Sequence, residues 1–66
     1  MYKLEYVPHF RHQPQPPAVV RVDQLFSTWH AARDFASAEA GRIRAQVGQE
    51  FDYLAIRIRA ESEPRN

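Results

Sequence analysis

Arginine is the residue whose spacing in this sequence could do chemistry. Arg42 and Arg44 alternate with Ile43 and Ala45, and Arg57 and Arg59 alternate with Ile56 and Ile58. Period-two alternation of this kind puts one set of side chains on each face of a strand. If residues 42–47 and 52–60 form a hairpin, the apolar sets must face each other, which pairs Val47 with Leu54, Ala45 with Ile56 and Ile43 with Ile58. That register sets Arg44 opposite Arg57 and Arg42 opposite Arg59, with Tyr53 on the same outer face. Like charges directly opposite one another are mildly destabilising, so such a face suits docking better than folding. Each guanidinium offers a planar five-donor fork to carboxylates or phosphates, and Arg and Tyr are enriched among interface hot spots. The expected partner-binding residues are therefore Arg42, Arg44, Tyr53, Arg57 and Arg59. The plainer alternative is a solvated sheet face neutralised by Glu5, Glu61 and Glu63.

Other chemistry is thinner. His9 and His12 have a His-x-x-His spacing beside prolines, but a zinc site needs three or four ligands on a fixed scaffold. His30 falls on the polar side of a helix. Ser27, Ser37 and Ser62 have no accompanying His and carboxylate set. Asp34 and Glu39 lie five apart on a helix and do not face each other. Arg11-His12-Gln13-Pro14-Gln15-Pro16-Pro17 has a basic residue followed by spaced prolines, as in polyproline ligands of SH3 domains, although a loop held at both ends need not present that conformation. The expectation is a protein that is not an enzyme and has no metal and no cofactor.

The elements that must position these residues follow from the same periodicities. Tyr2, Leu4 and Tyr6 alternate with Lys3 and Glu5, a strand with one buried face. Four of the five prolines lie in residues 8–17, which predicts an extended proline-rich loop. Val19, Val20 and Val22 predict a short strand over 18–22. Leu25, Trp29, Ala32, Ala36 and Ala40 make one helical stripe flanked by Phe26 and Phe35, so residues 23–40 read as an amphipathic helix. Asp23 could cap a long version of it, and Ser27 or Thr28 a shorter one after an extended segment over 22–26. Gly41 suits the left-handed position beyond its last turn. Residues 42–47 and 52–60 then form the hairpin, and 61–66 a frayed tail. The fold class is α+β, one helix on a small antiparallel sheet, in the order β-β-α-β-β, or β-α-β-β if residues 18–22 stay irregular. The helix covers one sheet face and leaves the other to solvent or a partner.

Bulk composition bounds the rest. Sixty-six residues make one domain with a small core. The absence of cysteine excludes disulfides and thiolate metal sites. A net charge of +1 means that attraction to nucleic acid must come from local clustering. No apolar run nears the ~20 residues that span a bilayer, and Met1–Tyr6 has no signal-peptide apolar core. The expectation is a cytoplasmic protein without a membrane partner.

With the elements placed in this order, the chain resembles the small type I anti-CRISPR proteins encoded by phages and mobile elements of proteobacteria, among them a compact ββαββ inhibitor. The likeness rests on the helix Thr28-Trp29-His30-Ala31-Ala32-Arg33-Asp34-Phe35-Ala36-Ser37-Ala38-Glu39 flanked by short strands. The proline-rich loop is a departure from it. The resemblance implies a non-enzymatic inhibitor in the host cytoplasm that docks on a CRISPR surveillance complex and blocks target DNA. No functional residue carries over from it. Three expectations result: a binding protein that docks on an acidic surface of a bacterial nucleoprotein complex, a nucleic-acid-binding module using the same arginines, and a homodimeric accessory protein.

Overall fold

The computed structural model describes residues 1–13 and 18–61. They form strand β1 (Tyr2–Phe10), strand β2 (Val20–Phe26), helix α1 (Trp29–Val47), a 3-10 turn (Gly48–Glu50) and strand β3 (Phe51–Ala60). The sheet is antiparallel, in the spatial order β2-β1-β3. One helix on one face of a three-stranded sheet is the expected α+β class, in the order β-β-α-β.

The fourth strand is the main correction. Residues 42–47 are the last turns of α1, so no hairpin joins them to β3. The alternation of Ile43, Ala45 and Val47 concealed a second pattern. Ala32, Ala36, Ala40, Ile43 and Val47 recur at steps of four and three, which extends the helical stripe. Arg, Ala and Gln are also strong helix formers. Gly41 lies inside the helix, where it costs about 1 kcal/mol relative to Ala, and does not end it. The terminating glycine is Gly48, at φ 67°, whose N–H donates to the Arg44 carbonyl. At the other end Thr28 is the N-cap, its hydroxyl accepting from the Ala31 N–H at 3.0 Å. The shorter of the two expected starts is therefore the real one, and residues 22–26 belong to β2.

β1 is longer than its alternation suggests because it runs through Pro8, so the expected loop over 8–17 is shorter. Residues 14–17, with most of the SH3-ligand pattern, lie outside the described residues, as does the tail over 62–66. Proline is normally confined to sheet edges, yet β1 is the central strand. The hydrogen-bond phase explains this. The Glu61 N–H donates to the Met1 carbonyl, so with the β1–β3 register the odd-numbered residues of β1 point their backbone groups toward β3. Pro8 therefore turns its nitrogen toward β2, whose pairing ends at Tyr6–Val20.

The core consists of Leu4 and Tyr6 from β1, Phe26 from β2 and Ala32 and Ala36 from α1, with Val22, Phe35, Ile43, Leu54 and Ile58 packed against it. Phe51 is also buried. The alanines bring the helix backbone close to the sheet, and Phe26 against Phe35, with ring centroids 5.3 Å apart, supplies bulk. Trp29 does not. It is exposed at the first helical turn, edge-on to His30 and covered in part by Arg33. Leu25 lies on β2 and faces away from the helix.

Candidate functional site

The uncovered sheet face is built in rungs across the strands. β1 presents Lys3, Glu5, Val7 and His9 there, because Tyr2, Leu4 and Tyr6 point to the helix. The β1–β3 register places Arg59 opposite Lys3, Arg57 opposite Glu5, Ala55 opposite Val7 and Tyr53 opposite His9. On the other side, β2 places Leu25 opposite Lys3 and Arg21 opposite Glu5. One rung is therefore Arg21-Glu5-Arg57 and the next Leu25-Lys3-Arg59.

The charges are partly matched. Arg21 Nε donates to Glu5 Oε2 at 3.0 Å, and Lys3 Nζ stands 3.5 Å from Glu61 Oε1. Among the described residues no carboxylate lies within ion-pair distance of Arg57 or Arg59. At the far end of the face His9 and Tyr53 stack, with centroids 4.4 Å apart and planes 9° from parallel. The face is thus basic at one end, aromatic at the other, and small and apolar between them at Val7 and Ala55.

Of the five expected binding residues, Tyr53, Arg57 and Arg59 share this face. Arg42 and Arg44 do not, because residues 42–47 are helical. Arg42 reaches back one turn to Glu39, with Nη2 at 2.8 Å from Oε2 and Nε at 3.1 Å from Oε1. The same Glu39 accepts from the Tyr6 hydroxyl at 2.9 Å. This triad fastens the helix to β1. The hydrogen bond from Arg42, reinforced by that from Tyr6, holds the Glu39 carboxyl below its ordinary range. Burial, followed by the bond to Glu39, raises the Tyr6 hydroxyl, and Glu39 raises the Arg42 guanidinium. Arg44 lies over the Phe51 ring at 5.3 Å and donates to the Asp52 carbonyl at 3.5 Å.

Lys3, Glu5, His9 and Arg21 also belong to the face and are not among the five expected binding residues, although Glu5 is one of the carboxylates expected to neutralise it. The signal for the first three was present: once Tyr2, Leu4 and Tyr6 are inward, Lys3, Glu5 and His9 must be outward. What was missing was the strand order, which puts β1 rather than residues 42–47 beside β3.

Among the described residues no three His, Asp or Glu side chains gather at metal-binding spacing, and no helix is long and apolar enough to cross a membrane. An open groove of about 390 Å³ runs along β2, lined by Lys3, Arg21, Gln24 and Arg59 among others. Comparison with family models, curated proteins and solved structures finds no match to this chain.

Proposed function

We propose that this chain is a small non-enzymatic binding protein that docks through its uncovered sheet face on an acidic protein surface, such as one on a larger bacterial nucleoprotein complex. The observation that carries this is the pair Arg57 and Arg59, which among the described residues lie on a face that no element covers and have no carboxylate partner. An arginine in this setting has its fork available for an incoming carboxylate. The surroundings have an interface composition, with a stacked aromatic pair, a small apolar centre and a charged rim. The resemblance to small anti-CRISPR inhibitors points to the same class of partner, but one of the two strands that would follow α1 in their ββαββ order is absent among the described residues, so the partner is argued from the chemistry of the face.

The small number of available cations favours protein over nucleic acid. Three strands at ~4.8 Å spacing and ~3.3 Å per residue give a face of roughly 400 Å². Of its cations, Lys3 and Arg21 are already engaged with carboxylates. Two available arginines supply little of the counterion release that drives non-specific nucleic-acid binding. The stacked His9–Tyr53 pair favours a second reading, a single-stranded nucleic acid whose bases extend the stack.

Affinity capture from a bacterial lysate, with cross-linking to locate contacts, tests the proposal. Wild type is expected to retain a specific partner cross-linked near Tyr53 and Arg57, and Arg57→Glu with Arg59→Glu to lose it. Retention of the same partner by the double variant would refute the proposal. A gel shift with single-stranded DNA separates the two readings. Binding that depends on Tyr53 and weakens with salt, at a slope near −1.4 for two phosphate contacts on a single strand, would favour nucleic acid.

A further inference from the structure

The two edges of the sheet are built differently. β2 is irregular: its register with β1 shifts between Lys3 and Glu5, and Asp23 lies within it. Bulges and charges of this kind discourage a further strand from pairing. β3 is more regular from Tyr53 to Arg59, and its two charges there, Arg57 and Arg59, both stand on the outer face. The run Tyr-Leu-Ala-Ile-Arg-Ile-Arg has no proline and no bulge, and it presents no charge on the helix side of the sheet.

Its free edge can be assigned residue by residue. Odd-numbered residues of β3 direct their backbone groups at β1, by the phase that the Glu61–Met1 bond sets. Leu54, Ile56 and Ile58 therefore direct their N–H and C=O groups off the sheet. Asp52 is the extra residue where the register shifts, since His9 pairs with Tyr53 but Phe10 with Phe51. Its carbonyl accepts from Arg44, which closes that end of the edge. The available segment is thus Tyr53–Arg59, and its midpoint is Ile56, 43% exposed.

We infer that this edge pairs antiparallel with β3 of a second copy of the chain, about a two-fold axis at Ile56. Charge and phase select that register. Centring on Arg57 would oppose Arg57 to its own mate, and centring on Ile58 would oppose Arg57 to Arg59; both arrangements set like charges across the ladder. Centring on Ala55 would bring the bulged Asp52 into the pairing, opposite Ile58. Centring on Ile56 uses the whole regular segment. On the helix side Ile56 meets its mate and Leu54 meets Ile58. On the outer side Arg57 meets Ala55, and Arg59 meets Tyr53, whose ring can take a cation. A groove of about 240 Å³ between α1 and β3, of mixed lining with Ala36, Ala40, Leu54 and Ile56 beside Ser37, Arg44 and Asp52, lies along this edge, where the mate's Ile58 would meet its apolar part. The pairing yields a continuous six-stranded sheet with both helices on one side, and it doubles the uncovered face. It stands or falls independently of what that face binds.

The test uses the full chain. Sedimentation is expected to show a dimer, with slow amide exchange at Leu54, Ile56 and Ile58 that is lost on dilution, while Ala55 and Arg57 stay protected by β1 at any concentration. Ile56→Lys is expected to give a folded monomer, with Ala55 and Arg57 still protected. Because the chain has no cysteine, single thiols report the register. At an antiparallel hydrogen-bonded pair the Cα atoms lie ~5.5 Å apart, within the ~4.4–6.8 Å span of a disulfide. Ile56→Cys should therefore oxidise to a covalent dimer. Ile58→Cys should not, since its mates would stand roughly 13 Å apart along the strands. A wild type that remains monomeric at high concentration, with fast exchange at Leu54, Ile56 and Ile58, overturns the inference. So does equal cross-linking of the two cysteine variants.

Discussion

Two leucines on paired strands provide a matched test of where the core lies. Leu4 is 1% exposed at the centre of β1, while Leu25 is 45% exposed on β2 and pairs with the neighbouring Lys3. Both would be changed to Ala, removing the same atoms. At Leu4 the loss combines transfer free energy with a cavity, because helix, sheet and aromatic neighbours surround the side chain; such substitutions cost about 2–5 kcal/mol. At Leu25 nearly half the side chain is already in water and no cavity can form, so the expected cost is about 1 kcal/mol or less. A chain of this length has a total stability of roughly 3–10 kcal/mol, so Leu4→Ala removes between about a fifth and all of it. At ~4–8 °C per kcal/mol for small domains, Leu4→Ala should lower Tm by at least about 8 °C, and Leu25→Ala by no more than about 8 °C. Urea titration of all three proteins at one protein concentration checks this, since any self-association makes stability concentration-dependent. Equal midpoint shifts for the two variants, at unchanged slope, would refute the placement of the core between β1 and α1.

The two glycines should respond in opposite directions. Gly41 is inside the helix with nothing within 4 Å of an added Cβ, so Gly41→Ala should stabilise by about 1 kcal/mol, whereas Gly48→Ala, at φ 67°, should destabilise by about as much; thermal melts read both. Glu39 supplies a pH dependence. Its folded carboxyl is held below the ordinary value of 4.5, first by Arg42 and then by Tyr6, so its contribution is fully present above that value and is lost as pH falls through the lowered one. Urea midpoints measured from neutral pH downward should therefore fall less steeply for Glu39→Gln than for wild type, and parallel profiles would contradict the assignment.

How far the fold could be read from the residues depended on whether one periodicity stood alone. β1 and β3 alternate cleanly, and of their inward sets Tyr2, Leu4, Tyr6, Leu54 and Ile58 pack on the core, while Ile56 stays exposed at the open edge. Thr28 was one of the offered caps, and it is the cap used. The error lay at residues 41–47, where two periods coexist. Ile43, Ala45 and Val47 satisfy a strand, and Ala36, Ala40, Ile43 and Val47 satisfy a helix. Gly41 then tipped the reading toward a stop, although a glycine ends a helix only if the chain takes the left-handed turn there. The chain turns to positive φ at Gly48 instead, at φ 67° and ψ −134°. The consequence for the site was direct. Arg42 and Arg44 left the sheet face with their helix, while Tyr53, Arg57 and Arg59 stayed, because β3 keeps its two faces whichever strand it pairs with. Strand order was not legible, since nothing local to β3 says whether its neighbour is residues 42–47 or β1.

The loss of the fourth strand makes the remaining surface more demanding. A helix of 19 residues lying on a three-stranded sheet can cover one face only, and here it buries few side chains while Leu25, Trp29, Tyr53 and Ile56 remain exposed. Isolated exposed apolar residues are ordinary. Two of these four, however, lie on one regular strand whose outer backbone groups have no strand beside them among the described residues. The absent strand and the open edge are one fact seen from two sides. A strand over residues 42–47 would have paired with β3 and satisfied Leu54, Ile56 and Ile58. In its absence those groups are left to water or to another chain, and the arginines alternating with them are carried on the same strand. Binding at the face and pairing at the edge therefore share β3, and a change that reorients this strand should disturb both.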